Sequence, residues 1–534
     1  MSSAGSVVNP ALGGDEWRPS VSPWIIALTV MLATFMEVLD TSVANVSLPH
    51  IAGSLSASVD ESTWVLTSYL VSNAIVLPLS GWFSSLMGRK RFYMICVALF
   101  TISSMLCGLA PSLGMLVFFR VLQGAGGGAL QPVSQAILVE SFPRSKTGMA
   151  MAVYGMGVVV APILGPTLGG WITDNYTWRW IFLINIPVGV LSLSLTWMLI
   201  TDSPYSMRKP GIGRRIDYIG LGLLSVGLGL LQVVLDKGEQ EDWFGSTWIT
   251  LLAVISVASL VAVVIWELTR KQPLVDLKML ANRNFALATV TMFCLGLVLY
   301  ASTILLPLFL QTLMGYTALL SGLVLSPGGL VILLAMPLVG RLIGRIQGRW
   351  MLVFGISVTA LSLIEMSHFN LQISFWTAVW ARVVQGLGLA FLFVPLNTLA
   401  FSYVPREKTN NATGLINLAR NLGGSFGIAG VTTLLARHTQ VHRTYLVAHA
   451  TPFDEAYRQM FNGLVQKFTS AGASVPDAMQ RAWAMLSGLV NREAIMLSYV
   501  DVFRILAVAF VAMIPLVLLM KKPPAHHGPP APGH

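Results

Sequence analysis

Six ionisable residues lie inside long apolar stretches of this sequence, where an unpaired charge is costly. Glu37 and Asp40 stand three residues apart in the first stretch, so a helix would place both side chains on one face. The others are Arg120, Glu365, Arg382 and Arg420. A carboxylate in such surroundings can take up and release a proton, and a guanidinium can bind an anion. These six side chains are the first candidates for chemistry.

The apolar stretches are long enough to cross a lipid bilayer, which takes about 20 helical residues. Hydrophobic residues make up 55% of the 534-residue chain and charged residues only 10%, against roughly 25% charged residues in soluble domains. We therefore predict an all-α polytopic membrane protein with fourteen spans. They begin near Trp24, Thr63, Phe92, Leu113, Met149, Trp180, Ile216, Thr247, Leu287, Leu319, Met351, Ser374, Thr413 and Asp501.

Basic residues concentrate in every second loop between these spans. Since short cytoplasmic loops are rich in Lys and Arg, this alternation predicts an even number of spans with both termini in the cytoplasm. It also accounts for the net charge of +10 without nucleic acid as a partner. Two of the basic loops carry Arg89, Lys90 and Arg91, and Arg208, Lys209, Arg214 and Arg215.

The predicted topology brings Asp40 and Arg120 to similar depths. Asp40 lies about six residues from the end of the first span, and Arg120 about seven from the start of the fourth, at the same membrane surface. At about 1.5 Å of rise per residue, both lie roughly 10 Å deep. One hypothesis is that Asp40, alone or with Glu37, is a proton site coupled to Arg120. The alternative is a static ion pair that orients the two spans, and the sequence leaves both open.

The second half of the chain has no matching pair of acid and base. Arg382 lies on the twelfth predicted span, where Glu365 on the eleventh is its candidate partner, and a structural role is favoured. Arg420 lies in the cytoplasmic half of the thirteenth span without an acid near it in sequence. It either faces a cavity and an anionic substrate or bonds to backbone carbonyls.

Two motifs recur in the same order about 260 residues apart. Arg-x-x-Gln-Gly-x-Gly occurs at 120–126 and 382–388, and Pro-x-x-Gly at 78–81 and 337–340. Parallel repeats of this kind predict two bundles that rock about a central site. The predicted domains are a cytoplasmic N-terminal tail (1–23), a six-helix bundle (24–201), two extra transmembrane helices with linkers (202–286), a second six-helix bundle (287–520) with a periplasmic loop subdomain (437–499), and a disordered cytoplasmic tail (521–534).

The fifth predicted span is dense in glycine and proline. Proline removes a helix hydrogen bond and bends the helix, whereas glycine lets two membrane helices approach closely. The pattern predicts a functional hinge or a packing seam built from Gly157, Pro162, Gly165, Pro166, Gly169 and Gly170.

Five motifs together resemble the major facilitator superfamily over nearly the whole chain. They are Leu-Asp-Thr-Ser-Val-Ala-Asn from residue 39, the loop at 81–90, the segment at 116–124, the glycine and proline motif, and Trp-Arg-Trp from residue 178. The sequence is most similar to the fourteen-span drug:proton antiporter branch of EmrB/QacA type, and within it to Gram-negative EmrB multidrug efflux pumps.

This resemblance implies the major facilitator fold and proton-driven multidrug efflux across a bacterial inner membrane by alternating access. No cofactor or metal is implied, because the proton-motive force supplies the energy. The implied substrates are hydrophobic or amphipathic drugs, and the implied partners are a periplasmic EmrA-type adaptor and a TolC-type outer-membrane channel. The segment 437–499 is the predicted docking surface. A dedicated exporter of a fatty acid or another single amphipathic metabolite is the alternative.

The loop after the second span departs from the family pattern. Gly81, Gly88 and Arg89 match the family's gate loop, but Ser85 and Leu86 stand where an acid and a base are usual. The charge relay that the family forms at this loop is therefore in question here.

A membrane-embedded enzyme is the alternative of a different class. Gly-x-Ser-x-Gly at 423–427 fits a nucleophile pattern, but it falls inside a predicted span rather than at a strand-to-helix turn. The chain also lacks the Gly-x-x-x-x-Gly-Lys-Ser/Thr phosphate loop of ATP-driven transporters. Helix packing is the favoured interpretation of the motif, and the sequence predicts a transporter rather than an enzyme.

Overall fold

The computed structural model describes residues 19–143, 146–203, 217–270, 273–343, 345–402, 404–405 and 408–520, and within them the chain is helical without strands. The helices are α1 (Pro23–Ser54), α2 (Val59–Ser62), α3 (Trp64–Met87), α4 (Arg89–Leu109), α5 (Leu113–Gly127), α6 (Leu130–Ser141), α7 (Thr147–Asn175), α8 (Trp180–Leu183), α9 (Asn185–Leu199), α10 (Tyr218–Lys237), α11 (Thr247–Thr269), α12 (Arg283–Thr312), α13 (Ala318–Leu342), α14 (Gly348–Met366), α15 (Phe375–Phe401), α16 (Thr409–His449), α17 (Glu455–Ser470), α18 (Val475–Val511) and α19 (Ile514–Leu518).

Several predicted features fall outside the described residues. They are residues 1–18 of the predicted N-terminal tail, the predicted tail 521–534, and the linker residues Arg208, Lys209, Arg214 and Arg215.

Twelve helices or joined helix pairs in the described ranges are long and apolar enough to cross a membrane, and α7 is a thirteenth if the two parts on either side of its bend count as one span. The joined pairs are α5 with α6, α8 with α9 and α18 with α19. The prediction of an all-α polytopic protein is confirmed. The thirteenth predicted span, which begins near Thr413, coincides with α16, which is long enough but not among the helices that meet this test of apolarity. Fourteen spans therefore remain a prediction.

Helix α16 is nevertheless packed tightly within the bundle. A methyl group on Gly423 would lie 1.9 Å from the carbonyl oxygen of Phe293 on α12, and one on Gly427 would lie 2.2 Å from that of Leu297. These glycines bring the two backbones together, as small residues do in membrane helices. The polar residues of α16, discussed below, make contacts inside the protein.

The repeated Arg-x-x-Gln-Gly-x-Gly motif has the same packing role in both halves of the chain. Gly124 on α5 lies against the backbone of Tyr69 on α3, and its counterpart Gly386 on α15 lies against the backbone of Gly328 on α13. The last glycine of each motif packs in the same way against the third helix of its half, α4 or α14. The sequence repeat therefore corresponds to a repeated three-helix contact.

The two helices between the halves differ in their surroundings. Helix α10 packs against α3 and α16, while α11 packs against α10 and exposes apolar side chains such as Leu251, Val254 and Val261. A hydrogen bond from Ser256 to the carbonyl of Gly227 (2.7 Å) joins α10 and α11. Only α10 of this pair reaches the interior site described below.

Residues 437–499, here called the extension, consist largely of helix. The extension contains the last part of α16, all of α17 and the first part of α18. Phe461 of α17 stacks on Trp483 of α18 with ring centroids 5.7 Å apart. The end of the helix bundle that carries the extension is here called the extension end. The opposite end, where α1 begins and the loop with Arg89 lies, is called the basic end.

Candidate functional site

A cavity of about 320 Å³ lies between helices from both halves of the chain. Helices α1, α3 and α6 form one side, α12 and α16 the other, and α10 contributes a third wall. Glu239, Gln240 and Thr432 belong to the lining and lie toward the extension end. Apolar side chains such as Leu70 and Ile304 and polar ones such as Gln232 and Asn421 both belong to the lining, as in sites that accept amphipathic molecules.

Glu37 is the acid at the bottom of this cavity. Its carboxylate accepts hydrogen bonds from the Tyr69 hydroxyl (3.1 Å), the Asn73 amide (3.2 Å) and the Gln131 amide (2.6 Å). The side chain is 3% exposed, and no basic residue in the described ranges forms an ion pair with it. Neutral donors alone contact the carboxylate.

Gln131 connects Glu37 to the other half of the protein. Its amide nitrogen donates to Glu37, and its carbonyl oxygen accepts a short hydrogen bond from Arg420 on α16. Arg420 is 1% exposed, and its Nε has no hydrogen-bond partner within the described structure. The sequence indicated neither a contact between Arg420 and Gln131 nor a connection between Arg420 and Glu37.

Asp40, one helical turn from Glu37, lies in a different network. It accepts hydrogen bonds from Arg120 (2.6 Å), Gln123 (2.9 Å) and Asn185 (2.7 Å). Asp40 is 3% exposed and does not belong to the cavity lining. The structure thus brings Asp40 and Arg120 together, as the depth estimate permitted, and surrounds the pair with amides.

Arg120 forms one wall of the cavity while it holds Asp40. Its Nε donates to the carbonyl of Val65 (2.9 Å), and its guanidinium lies 4.2 Å from the ring centroid of Tyr69. Its Nη2 has no hydrogen-bond partner within the described structure. One edge of this guanidinium therefore pairs with Asp40, and its Nη2 is buried without a hydrogen-bond partner in the described structure.

Amides and a tyrosine close the bundle between the cavity and the basic end. Gln135 donates to Asn397 (2.6 Å), Asn417 donates to Gln135 (2.6 Å), and the Tyr154 hydroxyl donates to Asn417 (3.1 Å). Asn417 lies eight residues into α16 from Thr409, which is about 12 Å of helix. These bonds join the two halves, so the cavity is open toward the extension end and sealed toward the basic end.

The pairing considered for Arg382 is absent from the described structure. Arg382 is buried and forms a short hydrogen bond to Gln385, whereas Glu365 is exposed and has no ion pair with it. The bond to Gln385 repeats that of Arg120 to Gln123 (2.8 Å). The second half therefore keeps the arginine and glutamine of the motif without the acid.

Comparisons with known proteins agree with this architecture. A family model described as the Major Facilitator Superfamily matches residues 30–428. The chain belongs to the major facilitator superfamily.

Relatives within the superfamily cover almost the full length. The chain is 37% identical to the multidrug export protein EmrB of Haemophilus influenzae, over 94% of this chain and 96% of that protein. It is also 37% identical to the probable multidrug resistance protein EmrY of Escherichia coli (94% and 96% covered) and to the fatty acid resistance protein FarB of Neisseria gonorrhoeae (94% and 97% covered).

Solved superfamily structures share the fold at low sequence identity. The proton:xylose symporter XylE has a TM-score of 0.59 at 15% identity, with 94% of this chain and 96% of that chain covered. The human organic anion transporter MFSD10 has a TM-score of 0.56 at 12% identity, with 92% and 100% covered. The predicted major facilitator fold is confirmed.

At the loop that matches the superfamily gate loop, the acidic partners come from other segments of the chain. Arg89 is 3% exposed and forms an ion pair with Glu140 at the end of α6, and the Ser203 hydroxyl also donates to Glu140 (2.6 Å). The backbone N–H of Lys90 donates to Asp202 (2.9 Å). Charge contacts therefore exist at this loop although Ser85 and Leu86 replace the usual acid and base.

The two glycines of the gate loop have separate backbone roles. Gly88 has φ = 84°, a conformation that L side chains rarely adopt. A methyl group on Gly81 would lie 2.3 Å from the side-chain oxygen of Asn411 at the start of α16. Gly81 therefore lies where the two halves meet at the basic end.

The glycine and proline motif forms a seam between α7 and α1. Helix α7 bends by 41° between Pro162 and Leu164, and the carbonyl of Pro162 accepts a hydrogen bond from Ser42 (3.0 Å). Gly165 and Gly169 lie against Ser42 and Val43, and Gly157 lies against Met31. Pro166 and Gly170 belong to the same helix beyond the bend. The motif combines a bend with close contact to the helix that carries Glu37 and Asp40.

Replacing Gly165 with Leu is expected to abolish transport while the protein still inserts into the membrane. A Cβ at this position would lie 2.1 Å from the Ser42 hydroxyl oxygen and 2.4 Å from its Cβ, so α7 must move away from α1. The matched control is Gly222→Leu on α10, where a Cβ meets nothing within 4 Å. Membrane yield, gel filtration and whole-cell efflux of both variants decide the matter. Unchanged efflux with Gly165→Leu contradicts the role of the seam.

The Gly-x-Ser-x-Gly segment belongs to α16 and serves contacts inside the bundle. Ser425 donates to Gln232 on α10 (2.9 Å) and to the carbonyl of Asn421 (3.2 Å). The flanking glycines provide the contact with α12 described above. Ser425 also lines the cavity, so its role is in the wall rather than in a turn.

Several residues of the site carry no charge and were not predicted. They belong to helices from both halves and to α10, and they are Tyr69, Asn73, Gln131, Gln135, Asn185, Gln232, Asn397 and Asn417. A usable signal existed, because an amide buried in a membrane helix needs a hydrogen-bond partner. Listing such amides together with the ionisable residues would have identified most of the site.

Proposed function

We propose that this protein exports hydrophobic and amphipathic small molecules in exchange for protons, and that it works in the inner membrane of a bacterium. The near full-length similarity to relatives named for multidrug export supports this function. The basic loops support placing both termini in the cytoplasm. With that orientation, the cavity opens to the periplasm and is sealed on the cytoplasmic side. The reaction is transport rather than chemical conversion.

The observation that carries the proposal is Glu37, a buried carboxylate on the cavity wall with neutral hydrogen-bond donors and no ion pair in the described structure. Such a group gains less from ionisation than one beside a cation, so it can take up a proton from the periplasmic side. Asp40 is the weaker candidate for this step, because Arg120 contacts it directly and it lies behind the cavity wall.

Protonation of Glu37 would act on the contact between the halves. The neutral acid is a poorer acceptor for Gln131, and Gln131 is the residue that Arg420 contacts across the interface. Loss of the negative charge also removes its attraction for Arg420. Proton uptake therefore weakens the link between α6 and α16, which favours the rocking motion expected of paired bundles.

A dedicated exporter of a fatty acid or similar acid is the second candidate. Arg120 supports it, because this residue belongs to the cavity lining, its Nη2 has no hydrogen-bond partner in the described structure, and a guanidinium suits a carboxylate. The similarity to a protein named for fatty acid resistance supports it as well.

Susceptibility profiling of a pump-deficient strain that expresses the protein tests the function. We expect cells that express the protein to resist several unrelated amphipathic drugs and to accumulate less drug than cells without it. This difference in drug accumulation should disappear when an uncoupler collapses the proton gradient. Resistance confined to fatty acids favours the dedicated exporter. Drug efflux that survives the uncoupler contradicts proton coupling.

We further propose that the extension binds a periplasmic EmrA-type adaptor, which in turn meets a TolC-type outer-membrane channel. Large apolar side chains on the extension are exposed, which is unusual for a surface without a partner. They are Tyr445 (65%), Phe453 (93%), Met460 (51%) and Trp483 (54%). The segment between α16 and α17 presents the most exposed of them.

Replacing Phe453 with Asp is expected to reduce co-purification of the adaptor at least several-fold. A buried aromatic anchor typically contributes about 2 kcal/mol or more to an interface. Gln459→Asp on the exposed surface of α17 is the matched control. Pull-down from membranes, with transport by the purified protein alone as a second measurement, separates docking from transport. Equal adaptor recovery from both variants contradicts this surface.

A further inference from the structure

Three metal-ligating side chains meet where the extension leaves the bundle. His438 and His442 lie four residues apart on α16, and Asp501 lies opposite them on α18. The Asp501 Oδ2 is 3.0 Å from Nδ1 of His438 and 2.7 Å from Nε2 of His442. In the part of the chain that the structure describes, this is the single group of three His, Cys, Asp or Glu residues with ligand atoms so clustered, all within 4.8 Å.

The donor set has the composition of a zinc site. Two imidazoles and one carboxylate are ligands that Zn²⁺ binds at about 2.0–2.2 Å, commonly with a water in the fourth position. The edges of such a tetrahedron are about 3.3 Å long. The present separations are those of hydrogen bonds, so small side-chain rotations open the cluster to the required size.

The backbone already fixes the three ligands on two helices. Residues four apart on a helix share one face, so α16 presents both imidazoles together. A hydrogen bond from Thr439 to Ser498 (3.1 Å) holds the two helices next to the cluster. The side chains of His438, His442 and Asp501 are 32%, 25% and 27% exposed, which leaves a path for an ion from solvent.

We propose that His438, His442 and Asp501 form a binding site for a divalent transition metal, with Zn²⁺ as the preferred ion. The metal replaces the protons that the two imidazoles now share with Asp501, so binding releases protons. It links α16 to α18 at the base of the extension and restricts movement of α17 relative to the bundle. The site lies outside the cavity lining and is independent of the proposed transport function.

Metal binding by the full-length protein in nanodiscs tests the proposal. After treatment with EDTA and addition of Zn²⁺, we expect one equivalent to remain after desalting, measured by elemental analysis. Co²⁺ should give the intense visible spectrum of a four-coordinate site. Zn²⁺ should also raise the melting temperature and slow trypsin cleavage after Arg458 and Lys467 on α17.

Two variants make the result specific. His442→Gln can still donate a hydrogen bond to Asp501 but is a poor zinc ligand, so it should fold normally and lose the bound equivalent. His449→Gln removes an exposed histidine of the same helix, whose Nδ1 contacts the carbonyl of Tyr445, and should keep the metal. No retained Zn²⁺ in the unmodified protein, or equal loss in both variants, overturns the proposal. Retention by a folded His442→Gln variant overturns it as well.

Discussion

Replacing Glu37 with Gln is expected to abolish proton-driven transport and to leave substrate binding in place. The amide has the shape of the protonated acid and can still bond to Tyr69 and Asn73, but it cannot release a proton. In proteoliposomes with an imposed proton gradient, drug transport by the variant should fall to the level of vesicles without protein. Exchange of labelled for unlabelled drug, which needs no net proton movement, should continue.

Glu239→Gln is the matched control for this experiment. Glu239 also belongs to the cavity lining, but it lies at the mouth and is partly exposed to solvent. A carboxylate in contact with water does not couple proton binding to movement of the helices. Its replacement should therefore leave gradient-driven transport nearly unchanged. Gradient-driven transport by a folded Glu37→Gln variant at the normal rate would exclude Glu37 as the proton carrier.

The similar depth of Asp40 and Arg120, which permits their contact, was predictable from the sequence. Both residues lie on helices whose ends follow from apolar length, and the rise of a helix is fixed. The network around Glu37 was not predictable in the same way. It depends on how α6 faces α16 across the interface, and neither Gln131 nor Gln135 carries a charge that distinguishes it in sequence.

Helix α16 shows why a span that carries polar site residues is hard to recognise in sequence. Its Asn417, Arg420 and Asn421 lower its apolar character, and these are the residues that face the other half or the cavity. A helix that builds a polar site inside a bundle therefore gives the weakest signal of a span. Glu365 shows a related error, because its sequence position suggested a partner for Arg382 while its side chain points to the surface.

Two acids on one face of α1 thus have different surroundings. Asp40 faces a cation and amides and is held behind the wall, whereas Glu37 faces neutral donors and the cavity. Environments that differ in this way assign different roles to similar groups. The first acid suits a permanent ion pair between α1 and α5, and the second suits a group that changes its charge during transport.

Replacing Asp40 with Asn is expected to destabilise the protein strongly, because it leaves the guanidinium of Arg120 buried without its counter-ion. Removing one partner of a buried ion pair typically costs about 3–5 kcal/mol. The melting temperature in detergent and the yield of monodisperse protein should both fall. Glu365→Gln, at an exposed acid without an ion pair in the described structure, should change neither measurement.

The double variant Asp40→Asn with Arg120→Gln decides between the two roles of the pair. Neutral replacements of a buried ion pair are often tolerated, so stability should return towards that of the unmodified protein. If the pair is structural, proton-driven transport of an uncharged drug returns with it, because Glu37 still carries the proton. A double variant that is stable yet uncoupled from the gradient would instead make Asp40 the carrier, and Glu37→Gln would then be expected to retain coupling. The two experiments therefore have opposite outcomes under the two hypotheses, and together they identify which acid of α1 moves the proton.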